Sequence, residues 1–139
     1  MDCIFCKIVN GELPTAKVYE DDSQIAFLDI FPASRGHTLL IPKKHHENIF
    51  DAREEVAKAV YPTLSLLAKA VRTATGCDGI NIVQNNNAAA GQVVFHSHIH
   101  LIPRYENDEI KVTVAGKERA DGAYLAEMVK QIKDALIKV

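Results

Sequence analysis

Apolar and polar positions along this chain repeat with two periods, and the change from one to the other marks out its elements. Short runs rich in β-branched and aromatic residues read as strands: Lys17-Val18-Tyr19, Gln24-Ile25-Ala26-Phe27-Leu28, His37 to Pro42, and Gly79-Ile80-Asn81-Ile82-Val83-Gln84. The polar Glu20-Asp21-Asp22-Ser23 between the first two predicts a hairpin. From Val56 the period lengthens. Val56, Val60, Leu64, Leu67, Ala68 and Val71 recur at helical spacing to about Thr75, with Gly76 as the stop. Asp51-Ala52-Arg53-Glu54 has the form of a capping box for that helix, and Pro62 inside it predicts a kink. A second amphipathic helix is predicted over 121–139, with Tyr124, Leu125, Met128, Val129, Ile132 and Leu136 on one side, to cover a core or a subunit interface. Ile110-Lys111-Val112-Thr113-Val114 reads as a short edge strand or an extended arm.

The fifth strand carries the chemistry. In Val93-Val94-Phe95-His96-Ser97-His98-Ile99-His100-Leu101-Ile102-Pro103, apolar residues flank three histidines at alternate positions, and Pro103 supplies the stop. Residues two apart share a face in a strand but not in a helix, so His96, His98 and His100 line one face. Neighbours then stand about 6.6 Å apart and the outer pair about 13 Å, which is too far for all three to bind one ion. Two adjacent histidines with a third ligand from elsewhere suit a catalytic zinc, so metal-dependent hydrolysis is a rival reading. Five mainly antiparallel strands with helices on one side give an α+β fold.

The 139 residues suit one domain, 1–139, with about 105–139 as a C-terminal extension. A hydrophobic share of 47% and a net charge of -2 fit a soluble globular protein without a basic field for a nucleic-acid backbone. Small ligands are the expected partners. The acidic start and short apolar run of Met1-Asp2-Cys3-Ile4-Phe5 do not resemble a signal peptide, and no stretch reaches membrane-spanning length, so a cytoplasmic location is expected. Three cysteines argue against a disulfide framework. Cys3 and Cys6 have the spacing of a metal chelate or a redox pair, or are two small buried hydrophobes; Cys77 reads as structural.

Gly91-Gln92-Val93-Val94-Phe95 leads into the triplet, and together with Phe27-Leu28-Asp29-Ile30 and Gly36-His37-Thr38-Leu39-Leu40-Ile41-Pro42-Lys43-Lys44-His45 it resembles the histidine triad (HIT) family of nucleotide hydrolases and transferases. The resemblance runs from about Cys3 to Arg104 and points to the Hint-like and bacterial Hit-like branches. It implies a catalytic set of His98, His100 and His37, with His98 attacking the α-phosphate and its other nitrogen held by a backbone carbonyl. His100 and His37 would hydrogen-bond phosphate oxygens. Asn85 and the Gly91-Gln92 backbone would stabilise developing charge, with Val93 beside them. Asp29 would take the ribose hydroxyls, and Phe5, Ile8, Leu13, Phe27, Leu28 and Ile30 would line the base pocket.

The same resemblance implies a structural zinc on Cys3, Cys6, His45 and His96, with His46 competing for the third place, and a homodimer. Its substrate would be a purine nucleoside phosphoramidate or adenylate. A dinucleoside polyphosphate hydrolase, a zinc-dependent hydrolase and a nucleotide-binding adaptor without turnover are the alternatives. Two positions depart from the pattern. Val93 stands where many Hint-like phosphoramidases carry a serine that hydrogen-bonds the leaving group, and Ser97 stands where an apolar residue is usual.

Overall fold

The computed structural model describes residues 2–112 and 117–138. Its strands are β1 (Lys17–Glu20), β2 (Gln24–Leu28), β3 (Thr38–Pro42), β4 (Gly79–Val83) and β5 (Ile99–Arg104). They form one antiparallel sheet in the order β1-β2-β3-β5-β4. The hairpin turn is closed by Asp21, whose Oδ1 accepts from the amides of Ser23 and Gln24, both at 2.8 Å. Because β2 and β3 are buried on both faces, their alternate residues feed two separate cores. Ile25, Phe27, Leu39 and Ile41 meet Phe5 on one face. Ala26, Leu40 and Leu101 meet Leu64 and Leu67 on the other.

That division corrects the expectation of helices on one side. Phe5 belongs to α1 (Ile4–Val9), a six-residue helix with no precedent in the hydrophobic pattern, and it packs opposite α2 (Glu54–Thr75). Helix α2 ends as expected, with Gly76 left-handed at φ 65° and its N–H donating to the Arg72 carbonyl at 2.9 Å. Its start differs. The N-cap is Arg53, with no side-chain cap, while Asp51 accepts from the amides of Glu47 and Asn48 and closes the preceding loop instead. Pro62 lies within a helix whose assigned span is continuous.

Strand β5 begins at Ile99, so His100 alone of the three triplet histidines sits in the ladder, and His96 and His98 precede it in irregular chain. Pro103 does not stop the strand. Opposite Ile80 of β4, it lies beyond Leu101, the last residue of β5 that pairs with β3. After β5, Arg104 clamps Asp108 through Nε and Nη2 at 2.8 and 2.6 Å, fixing the turn. Residues 110–112 form no strand, and the remainder of that expected arm, Thr113 and Val114, lies outside the described residues. Helix α3 (Gly122–Leu136) is capped by Asp121, yet Tyr124, Leu125, Val129, Ile132 and Leu136 are all exposed. Among the described residues its apolar stripe is left uncovered.

Candidate active site and metal centre

On the α1 face of the sheet a cavity of about 690 Å³ opens between α1, the end of β2 and the loop after β4. Phe5, Ile8, Leu13, Phe27, Leu28, Asp29, Ile30, Asn85, Gly91, Val93, His98 and His100 line it together. Pattern reading missed Ile4, Pro14, Thr15, Phe31, Leu39 and Val94. Leu39 was recoverable, since it pairs with both Phe27 and His100 across the ladder and shares their face. Helix α1 supplies Ile4, and nothing in its six residues announced a helix.

The chain before β5 turns His98 toward this cavity. Its Nδ1 lies 2.7 Å from the His96 carbonyl oxygen, which can only accept, so Nδ1 carries the proton and Nε2 keeps its lone pair. The edge of the Phe5–His98 pair closes at a centroid distance of 5.1 Å, and the His98 and His100 rings are also 5.1 Å apart. His37, just before β3, is buried and does not line the cavity. Its Nδ1 accepts from the Ala33 amide at 3.0 Å, and its Nε2 is 2.9 Å from His100 Nδ1 and 3.6 Å from Asp29 Oδ2. Both ring nitrogens are therefore spent inside the protein, which leaves none for the phosphate contact the sequence suggested. Burial lowers the pKa of His37 against the opposing charge of Asp29. Burial, then the charges of His98 and His37, push His100 down to about 4.

Gln92 is a second correction. The side chain is buried, donating to the carbonyls of Glu47 and Val94 at 2.7 and 3.0 Å and accepting from the Asn87 amide at 2.7 Å and Asn48 Nδ2 at 3.2 Å. Its own amide donates to the Asn87 carbonyl at 3.1 Å, and that of Gly91 donates to Ala88 at 2.9 Å. The two backbone donors expected to face a phosphate are thus committed to the loop. Gly91, at φ 92°, is needed to turn it, and Asn85 remains the amide that faces the cavity.

Beside the cavity, Cys3, Cys6, His45 and His96 bring their ligand atoms within 4.8 Å of one another. Cys3 is the N-cap of α1, which puts Cys6 one turn on, and His45 and His96 reach in from the loops after β3 and before β5. The Sγ···Nδ1 distances are 3.5 Å (Cys3–His96), 3.4 Å (Cys6–His45) and 3.6 Å (Cys6–His96), and the two Nδ1 atoms are 3.1 Å apart. A tetrahedral zinc with ordinary bond lengths sets its ligands about 3.5 Å apart for sulfur and nitrogen and about 3.3 Å for two nitrogens. The donor set fits. His96 Nε2 donates to the Pro42 carbonyl at 2.8 Å, so its Nδ1 is the bare nitrogen, as a ligand must be. His46 is not in the cluster.

A family model for the HIT domain matches residues 10–107, which include the triplet, the β2–β3 stretch and the loop after β4. The chain belongs to the HIT domain family. Among HIT relatives it is 49% identical over 107 residues to adenylylsulfatase HINT3 of Arabidopsis thaliana, 77% of this chain and 54% of that protein. The match therefore spans about half of the plant protein's length. A histidine triad nucleotide-binding protein from Candida albicans superposes with a TM-score of 0.88 at 34% identity, covering 99% of both chains. A Zn-bound histidine triad family protein from Mycobacterium smegmatis superposes at 0.76 with 36% identity, over 97% of this chain and 98% of that one. The expected HIT fold is the observed one. Among the described residues no helix is long and apolar enough to cross a membrane.

Proposed function

We propose that this HIT protein is a nucleotide hydrolase or transferase that attacks the α-phosphate of a purine nucleotide and passes through a nucleotidyl-His98 intermediate. The observation that carries the reading is the His98 ring, with Nδ1 tied to a carbonyl and Nε2 left with its lone pair in a mainly apolar cavity that also presents Asp29, Asn85 and His100. Nε2 forms a bond to phosphorus as the bond to the leaving group breaks; water then displaces His98 and releases the monophosphate. His100 and Asn85 hold the phosphoryl oxygens, Asp29 the ribose, and Phe5, Ile8, Leu13, Phe27, Leu28 and Ile30 the base. No lysine or arginine stands among the described residues lining the cavity, which favours a phosphoramidate or adenylate over a dinucleoside polyphosphate with its extra charges. The adenylylsulfatase among the relatives agrees with an adenylate substrate.

Cys3, Cys6, His45 and His96 would hold one structural zinc, which when bound supplies a cross-link between α1 and the segment before β5 and leaves no coordination place open for water. The Zn-bound relative supports it, and free thiols of this kind suit the reducing cytoplasm. The exposed apolar groups on α2, β4 and α3 support a homodimer that shields Leu66, Ile82 and Val129. The decisive experiment offers adenosine phosphoramidate, an aminoacyl adenylate and a dinucleoside polyphosphate to the wild type and to His98→Ala. The reading predicts turnover of the first two and an acid-labile adduct on His98, both lost in the variant. Tight nucleotide binding without product would make the protein an adaptor instead.

A further inference from the structure

The buried histidine behind the cavity has no route to a substrate, yet both of its nitrogens are placed. We infer that His37 is a positioning residue: a neutral relay that fixes the tautomer of His100 and thereby decides whether the active site offers a proton or a lone pair to the phosphate. The inference rests on the reading of His100 as a phosphate ligand. A backbone N–H can only donate, so the Ala33 amide, 3.0 Å from His37 Nδ1, requires a lone pair there. A neutral imidazole has one N–H, and it must then be on Nε2. That proton points at His100 Nδ1, 2.9 Å away, with Asp29 Oδ2 as a longer second acceptor at 3.6 Å. His100 Nδ1 is thus an acceptor, and its own proton is on Nε2, the nitrogen left for the cavity that His100 lines.

The order of protons along Ala33, His37 and His100 is forced by the first donor in the row. Burial of both rings supports the neutral state that this logic needs. The same order bears on a rival site. Asp29, His37 and His100 bring potential ligand atoms within 4.8 Å of each other, but a metal there would need the His37 Nε2 lone pair. The Ala33 amide has put a proton in its place. His98 reaches the opposite tautomeric outcome through the His96 carbonyl, so the cavity receives one bare nitrogen and one N–H from neighbouring rings. A nucleophile and a phosphate donor are what the proposed step uses.

Long-range nitrogen–proton NMR of the wild-type protein, without substrate, reads each histidine's tautomer directly. The expected result is Nε2–H for His37 and for His100 and Nδ1–H for His98; Nδ1–H on His100 overturns the inference. In His37→Gln the amide nitrogen occupies the place of Nε2 and still donates to His100, whereas in His37→Asn it falls short. Gln is expected to keep the His100 tautomer and to lower kcat no more than threefold. Asn is expected to lose the tautomer and to lower kcat roughly 10- to 100-fold with KM within twofold, less than the roughly 100- to 1,000-fold typical of deleting a direct donor. Equal loss in both variants, with the tautomer unchanged, would make His37 a packing residue. Wild type that shows the expected tautomers but turns over none of the three nucleotides refutes the proposed function and leaves the relay standing.

Discussion

Two groups of histidines lie close together in this protein, and they are wired in opposite senses. Around Cys3 and Cys6, the nitrogens converge: His45 Nδ1 and His96 Nδ1 are 3.1 Å apart, and the Pro42 carbonyl takes up the His96 proton on the far side. Bare donor atoms crowded together repel unless a cation sits among them. Around His37 and His100, protons and lone pairs alternate from the Ala33 amide to His100 Nδ1, so these three ring nitrogens are self-sufficient and only His100 Nε2 is left for the cavity. Residue type does not separate a metal site from a catalytic one; the partner on the remote ring nitrogen does. Phe5 joins the two, edge-on to His96 at 5.9 Å and to His98 at 5.1 Å.

The largest separation of the two groups comes from removing the thiols. Metal analysis of the wild type should find one zinc per chain, and Cys3→Ser with Cys6→Ser is expected to lose it and to lower Tm by roughly 10 °C or more, since such metal sites contribute several kcal/mol to folding. Molecules that remain folded should keep most of their turnover, because His98 and His100 are not ligands. A loss of turnover in folded, zinc-free protein would mean the two groups are one.

Phe5→Ala strikes both sides at once. Deleting a buried aromatic ring costs about 3–4 kcal/mol, to be measured by urea denaturation. Unlike the cysteine pair, it should reduce both zinc retention and turnover.

Acid tests the self-sufficient group. His100 is held to about 4 in the folded chain, against about 6.5 when free. Between those values the unfolded chain binds more protons than the folded one, so stability is full above about pH 6.5 and declines as pH falls toward 4. The loss attributable to this ring is at most about 3 kcal/mol. Urea midpoints across that window should fall less steeply in His100→Gln than in wild type; parallel curves would show that His100 does not carry it.

Gly36→Ala is the smallest perturbation. Gly36 has φ +87°, and an added Cβ would stand 2.5 Å from Thr75 Cγ2, whose rotamer is pinned by a hydrogen bond from Oγ1 to the Val71 carbonyl at 2.7 Å. A cost of about 2 kcal/mol is expected, with a fall in kcat because His37 is the next residue, and with zinc content unchanged. An equal fall in zinc would show that the perturbation spreads through the whole sheet.

Much of this arrangement was legible in the order of residues. The strand runs of β1 to β4 were readable because β-branched and aromatic residues cluster in them between polar and turn-forming stretches. The four metal ligands and the cavity residues came from the resemblance rather than from any period. What stayed hidden has physical reasons. Helix α1 is too short to show a periodicity, and a thiol caps it where an oxygen is usual. Gln92 and His37 were given phosphate contacts by the resemblance; only three dimensions show their polar groups already used. Asp51 and Glu54 have capping-box spacing, but the aspartate's oxygens were taken by amides on its other side. The amphipathic stripe of α3 was visible, but a stripe says that a face needs covering and not what covers it.

The late start of β5 has a consequence for how a nucleophile can be built on a sheet. In the centre of an antiparallel ladder each carbonyl is claimed by a neighbouring strand, and β5 lies between β3 and β4. Had pairing extended back through His96, as the alternating sequence invites, its carbonyl would be an ordinary rung, and the His98 ring would choose its tautomer from solvent. By leaving the ladder three residues early, the chain releases one acceptor from architectural duty and lends it to the adjacent side chain. Reactivity here begins with a rung withheld from the sheet.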